Sequence, residues 1–123
     1  MKSILIIDDE EAAIFAYSRY FSRKGYSVYT AGTIEEGRRK LGSYLDAVVL
    51  DLKLPDGTAL DFIREIKGVH ENATVVVASG ISDQEVIRSA LKMGAYQFLV
   101  KPLSMEEICQ SLADMLECPP IGS

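Results

Sequence analysis

No run of apolar residues in this 123-residue chain is long enough to cross a bilayer. The longest, ILII, AVVL and VVVA, fall far below the roughly 18 residues that a span requires. Basic charge is scarce too: 13 Lys and Arg stand against 18 Asp and Glu, a formal net charge of −5. Direct phosphate-backbone binding wants a basic face, so nucleic acid is not expected as a direct partner. The two cysteines, Cys109 and Cys118, have no further Cys or His at metal spacing and are read as ordinary reduced thiols. One lysine and a few apolar residues precede Asp8, shorter than the roughly 7–15-residue apolar stretch of a secretory signal, and the chain reads as cytoplasmic. Internal repeats and low-complexity tracts are missing, as is a glycine- or hydroxyl-rich phosphate loop after the first apolar segment, where DDEEAA stands instead.

What is present suits one ordinary globular domain. Hydrophobic residues make up 48% and charged residues 25%, and the length supports a single core. Five short segments rich in Val, Ile, Leu or aromatics, at 3–7, 27–30, 47–50, 74–78 and 96–100, are predicted as strands. Between them, helical periodicity covers 11–24, 34–41, 59–69, 84–93 and 105–116. Strict alternation of strand and helix predicts a parallel sheet with helices on both faces. The nearly unbroken apolar character of the first, third and fourth strands fits burial on both sides.

Local punctuation supports these bounds. Gly25 is placed to end the first helix, TIEE beginning at Thr33 has the form of a capping box, Ser82 or Asp83 is placed to cap the fourth helix, and Gly94 to close it. Ala13, Tyr17 and Phe21 form a core stripe on the first helix; Ile108, Leu112 and Met115 form one on the last. The prolines of CPPIGS stop that helix. Residues 1–117 are therefore expected to be the domain and 118–123 a linker or tail.

Polar residues gather where the strands end. The first ends in Asp8 and Asp9, the third in Asp51, the fourth in Ser79 and the fifth in Lys101 and Pro102. In a doubly wound sheet, ligands bind outside the carboxyl ends of the strands, so these residues are the candidate site. The pieces IIDDEE, VVLDLKLPDG, VVVASG and GAYQFLVKP, in this order and spacing over nearly the whole chain, resemble the receiver domain of two-component response regulators.

That resemblance implies a flavodoxin-like fold with strand order 2-1-3-4-5 and a phosphorylation-dependent signalling role, not an enzyme in the ordinary sense. Asp51 would accept a phosphoryl group from a sensor histidine kinase. Asp8, Asp9, Asp51 and the backbone carbonyl of Lys53 would hold Mg²⁺. Lys101, after which a cis peptide to Pro102 is expected, would pair with a phosphoryl oxygen, and Ser79 would bond another. Ser79 and Phe98 would act as the switch pair, re-forming the surface of helix four, strand five and helix five. An output domain beyond the C-terminus and a homodimer through that surface are further expected partners. The charge pattern is consistent on its own terms: carboxylates about 4 Å apart repel by on the order of 4 kcal/mol at an effective dielectric of 20, so three of them together call for a hard divalent cation. Aspartyl phosphates are established covalent intermediates.

Other residues have plainer readings. Glu10 and Glu11 suit a helix N-terminus, Asp56 in LPDG is turn chemistry, the Lys53 side chain is solvated, and His70 is a surface or helix-terminal residue. Two rival functions remain. A Mg²⁺-dependent phosphatase with an Asp nucleophile would want a second acid two residues later, where Lys53 stands. A constitutive interaction domain would not need the full set of Asp8, Asp9, Asp51, Ser79 and Lys101.

Overall fold

The five short segments pair into one parallel sheet, whose three inner strands are apolar on both faces because helices cover both. The computed structural model describes residues 2–116. The sheet strands are β1 (Ser3–Ile7), β2 (Ser27–Ala31), β3 (Ala47–Leu50), β4 (Thr74–Ser79) and β5 (Gln97–Val100). They are ordered β2-β1-β3-β4-β5, every neighbour parallel. This is the expected doubly wound, flavodoxin-like order. The helices are α1 (Glu11–Arg23), α2 (Ile34–Lys40), α3 (Phe62–Val69), α4 (Gln84–Met93) and α5 (Met105–Leu116).

The two-residue period of a strand sends alternate side chains to opposite faces. On β1, Leu5 and Ile7 join Phe62, Ile63 and Ile66 of α3 and Ala90 of α4. Ile4 and Ile6 join Tyr17 and Phe21 of α1 and Ile108 and Leu112 of α5. Both layers are sealed: Ile4, Leu5, Ile6 and Ile7 are all 0% exposed. Truncating such a side chain to Ala costs about 2–5 kcal/mol. The expected tail at 118–123, with Cys118, lies outside the described residues, as do the side chains of Cys109 and Met115.

Helix ends follow the local chemistry. After α1, Gly25 takes φ 92°, its N–H donates to Ser22 O, and the Tyr26 N–H donates to Phe21 O. The Phe21 and Tyr26 rings then meet at 5.9 Å, the apolar contact that accompanies such a cap. Thr33 caps α2 through the Glu36 N–H, while the Glu36 carboxylate accepts from Gly32 N–H. Asp83, not Ser82, caps α4, accepting from Glu85 N–H at 2.8 Å.

One helix differs from expectation. α3 starts at Phe62, three residues later than the periodicity suggests. The Ala59 N–H is drawn to Leu52 O at 2.8 Å, and the N–H groups of Phe62, Ile63 and Arg64 reach back only three residues. Ala59 to Asp61 therefore form a tight turn tied to the end of β3. Before it lies a short antiparallel ribbon, Lys53–Leu54 against Gly57–Thr58, which the sequence pattern did not suggest.

Candidate functional site

Hydrogen bonding of the sheet continues one residue past the strand ends, and this continuation fixes the site. The Asp8 N–H donates to Ala31 O at 3.0 Å, the Asp51 N–H to Ile7 O at 2.9 Å, and the Lys101 N–H to Ser79 O at 2.8 Å. Residues 93 positions apart in sequence are thereby held on a common rim, their backbones set by the ladder. Asp8 and Asp51 are buried, at 3% and 8% exposure, whereas Asp9 is exposed.

Oxygen atoms from Asp8, Asp9 and Asp51 lie within 4.8 Å of one another. At such spacing each pair of carboxylates repels by about 3–4 kcal/mol at an effective dielectric near 20. Among the described residues one ammonium opposes them. Lys101 Nζ donates to Asp8 Oδ2 at 2.9 Å and to Asp51 Oδ2 at 3.2 Å. Burial alone would lower the Lys101 pKa, but the hydrogen bonds and charges of Asp8 and Asp51 outweigh it and hold the pKa above the ordinary lysine value. The remaining oxygens are oriented by backbone: Asp8 Oδ1 accepts from Glu10 N–H at 3.0 Å and Asp51 Oδ1 from Lys53 N–H at 3.3 Å. Three carboxylates against one ammonium leave an excess of negative charge on hard oxygen donors, the environment that suits a divalent cation such as Mg²⁺ or Ca²⁺.

The expected residues divide into three groups. Asp8, Asp9, Asp51 and Lys101 are together, and Lys53 meets Asp51 through its N–H while its side chain is exposed. Ser79 is 0% exposed at the end of β4, its Oγ accepting from Ile81 N–H at 3.3 Å. Phe98 is half-buried on β5, opposite Val77, and packs against the core layer that contains Ala90 of α4. The Lys101-Pro102 peptide is cis. His70 is the C-cap of α3, its Nε2 2.8 Å from Leu41 O, in keeping with a helix-terminal role.

Two residues carry more than their sequence reading. The Asp56 carboxylate does not only serve its turn; it accepts from the Ile34 and Glu35 N–H groups at the start of α2, at 2.9 and 3.1 Å. Those two bonds hold its pKa below the usual carboxylate value. Nothing in LPDG signals a partner more than twenty residues away. Tyr17, read as core, also lines a cleft of about 540 Å³ with Glu10, Lys101 and Pro102. Its one sequence signal is a hydroxyl on a stripe that an all-carbon side chain would fill equally well.

Residues 4–113 match the response regulator receiver domain family. The acid tolerance regulatory protein ActR of Rhizobium meliloti is 32% identical over 112 residues, 90% of this chain and 58% of ActR. The chain thus spans less than two thirds of that relative's length. The chemotaxis protein CheY of Thermotoga maritima is 30% identical over 115 residues, covering 90% of this chain and 94% of CheY. A crystal structure of a response regulator protein from Burkholderia pseudomallei, with a phosphorylated aspartic acid, calcium ion and citrate, matches with TM-score 0.83 at 26% identity, over 97% of this chain and 76% of that one.

Proposed function

The chain belongs to the receiver domain family of response regulators, and from that premise we propose that it accepts a phosphoryl group on Asp51 and passes the change to the surface of α4, β5 and α5. The observation that carries this reading is the convergence of Asp8, Asp9 and Asp51 within 4.8 Å, beside a lysine bonded to two of them. The phosphorylated aspartic acid and calcium ion of the Burkholderia pseudomallei relative support it.

In this reading a carboxylate oxygen of Asp51 attacks phosphorus of a phosphohistidine on a sensor kinase. The new O–P bond replaces the N–P bond, whose electron pair returns to the imidazole. Asp8, Asp9, Asp51 and the Lys53 carbonyl would hold Mg²⁺, which when bound supplies the charge neutralisation that lets an anionic nucleophile approach an anionic donor. Lys101 offers an ammonium fixed at the rim, where negative charge gathers on the phosphoryl oxygens. The Ser79 hydroxyl donates to another of those oxygens. As Ser79 moves, Phe98 repacks into the space beside β4, which biases the equilibrium of the α4, β5 and α5 face between two states. That face would engage an output domain or a second copy of the chain.

The test is beryllofluoride with Mg²⁺, followed by amide NMR. The expected result is saturable shifts at residues 8, 9, 51, 79 and 101, spreading to α4 and β5, and none in Asp51→Asn. Shifts confined to scattered surface sites, or equal in Asp51→Asn, would refute the reading.

A further inference from the structure

The antiparallel ribbon after β3 is held at its base, its flank and its tip. At the base the Ala59 N–H donates to Leu52 O at 2.8 Å. Its rungs pair Lys53 with Thr58 and Leu54 with Gly57. A hairpin this short is at best marginally stable in water, so its shape is set from outside. Leu54 alone of these residues is buried, seated in the core layer with Ile7 and Phe62. That seat fixes the depth of the ribbon but is non-directional, and leaves it free to tilt about the Leu54 side chain. At the tip, past Pro55, the Asp56 carboxylate accepts from Ile34 N–H at 2.9 Å and from Glu35 N–H at 3.1 Å, one oxygen for each. Both donors lie in the first turn of α2, where a helix has no acceptor of its own for them, and both bonds are charge-assisted. At the other end of the ribbon the Lys53 N–H donates to Asp51 Oδ1 at 3.3 Å. One short ribbon thus joins the acidic cluster to the start of α2.

We propose that Asp56 is a positioning residue for the phosphoryl site: by gripping the start of α2 it fixes the tilt of the 53–58 ribbon and so holds Lys53 against Asp51. The proposal rests on the reading of Asp51 as phosphoryl acceptor and of the Lys53 carbonyl as a Mg²⁺ donor. At 3.3 Å the Lys53 bond to Asp51 is longer than an ordinary N–H···O bond, and Lys53 is exposed, so that bond does not hold the segment alone. The two bonds at the tip are shorter and directional. Mg²⁺ demands near-ideal octahedral geometry of its oxygen donors. A ribbon that samples several tilts offers its carbonyl correctly only part of the time, and the apparent affinity falls by that fraction. The coupling is reciprocal: a cation held at Lys53 steadies Asp56, and with it the Ile34 and Glu35 N–H groups.

The test compares wild type with Asp56→Ala, with Asp56→Asn, which keeps one acceptor oxygen and the turn chemistry, and with Thr33→Ala. The last removes the other cap of α2, the bond from Glu36 N–H to Thr33 Oγ1, and leaves the ribbon untouched. The decisive measurement needs neither metal nor phosphate: amide exchange with solvent, read by NMR. Asp56→Ala should speed exchange at Lys53, Ile34 and Glu35 by about fivefold, the worth of two exposed hydrogen bonds at the low end of their range, with Asp56→Asn in between. The Asp8 and Lys101 amides, which continue the sheet ladder, should not change. In a Mg²⁺ titration Asp56→Ala should bind about fivefold more weakly than wild type, and Thr33→Ala within about twofold of it. Mg²⁺ should also slow exchange at Ile34 and Glu35 but not at Glu36, and lose that effect in Asp56→Ala. Lys53 exchange unchanged by Asp56→Ala overturns the proposal whatever the metal does. An equal loss of Mg²⁺ affinity in Thr33→Ala marks an effect of α2 stability alone and overturns it as well. If wild type binds no Mg²⁺, the reading of the acidic cluster fails, while the Lys53 comparison still decides whether Asp56 positions that residue.

Discussion

Asp9 is the side chain whose presence the folded protein alone does not explain. It lies within 4.8 Å of oxygens of Asp8 and Asp51, yet Lys101 bonds only those two, so Asp9 adds repulsion without an ammonium of its own. Solvent screens part of that repulsion because the residue is exposed. Asp9→Asn should therefore stabilise the metal-free protein, by on the order of 1 kcal/mol or a few degrees in Tm, and abolish the rise in Tm that Mg²⁺ gives wild type by mass action. Melting curves with and without Mg²⁺ check both halves; a variant that melts lower without metal, or keeps the full Mg²⁺ effect, contradicts it. The cluster was legible in the sequence because carboxylates and a lysine stood where strands end, and strand ends in a parallel sheet share a rim. Asp56 was not legible in its second role. It satisfies a local turn pattern, and the N–H groups of Ile34 and Glu35 that it also caps are remote in sequence.

At the scale of elements, α4 is the helix that follows the Ser79 end of the site and that the proposed function assigns to the responding face. It begins after the loop that leaves Ser79, is capped by Asp83 and ends at Gly94 with φ 120°, a backbone setting that favours glycine. Asp83→Ala should cost about 1 kcal/mol of stability by denaturant unfolding and speed hydrogen exchange in the first turn of α4 selectively. Uniform loss of protection through the domain would argue against a local cap. Ser79→Ala should still accept a phosphoryl group on Asp51 but show weaker phosphate-induced NMR shifts around Phe98 and α4. Shifts equal to wild type would remove Ser79 from the switch. The existence of all five helices and five sheet strands was legible from periodicity. The start of α3 was not, because the Ala59 N–H is claimed by Leu52 across the turn, and the 53–58 ribbon has strands of two residues, too short to carry a period.

For the molecule as a whole, the order β2-β1-β3-β4-β5 puts β1 and β3 side by side, and with them Asp8 and Asp51. β4 stands between β3 and β5, so Lys101 reaches its partners across the end of the strand that carries Ser79. In the proposed function, phosphoryl chemistry and readout would thus share one strand end. Among the described residues no helix is long and apolar enough to cross a membrane. The most direct test of the central claim is to incubate the protein with acetyl phosphate, with and without Mg²⁺, and locate any added mass by peptide mass spectrometry. The account predicts one phosphoryl group, on the peptide containing Asp51, only when Mg²⁺ is present. No added mass, addition at another residue, or equal addition without a divalent cation would contradict it.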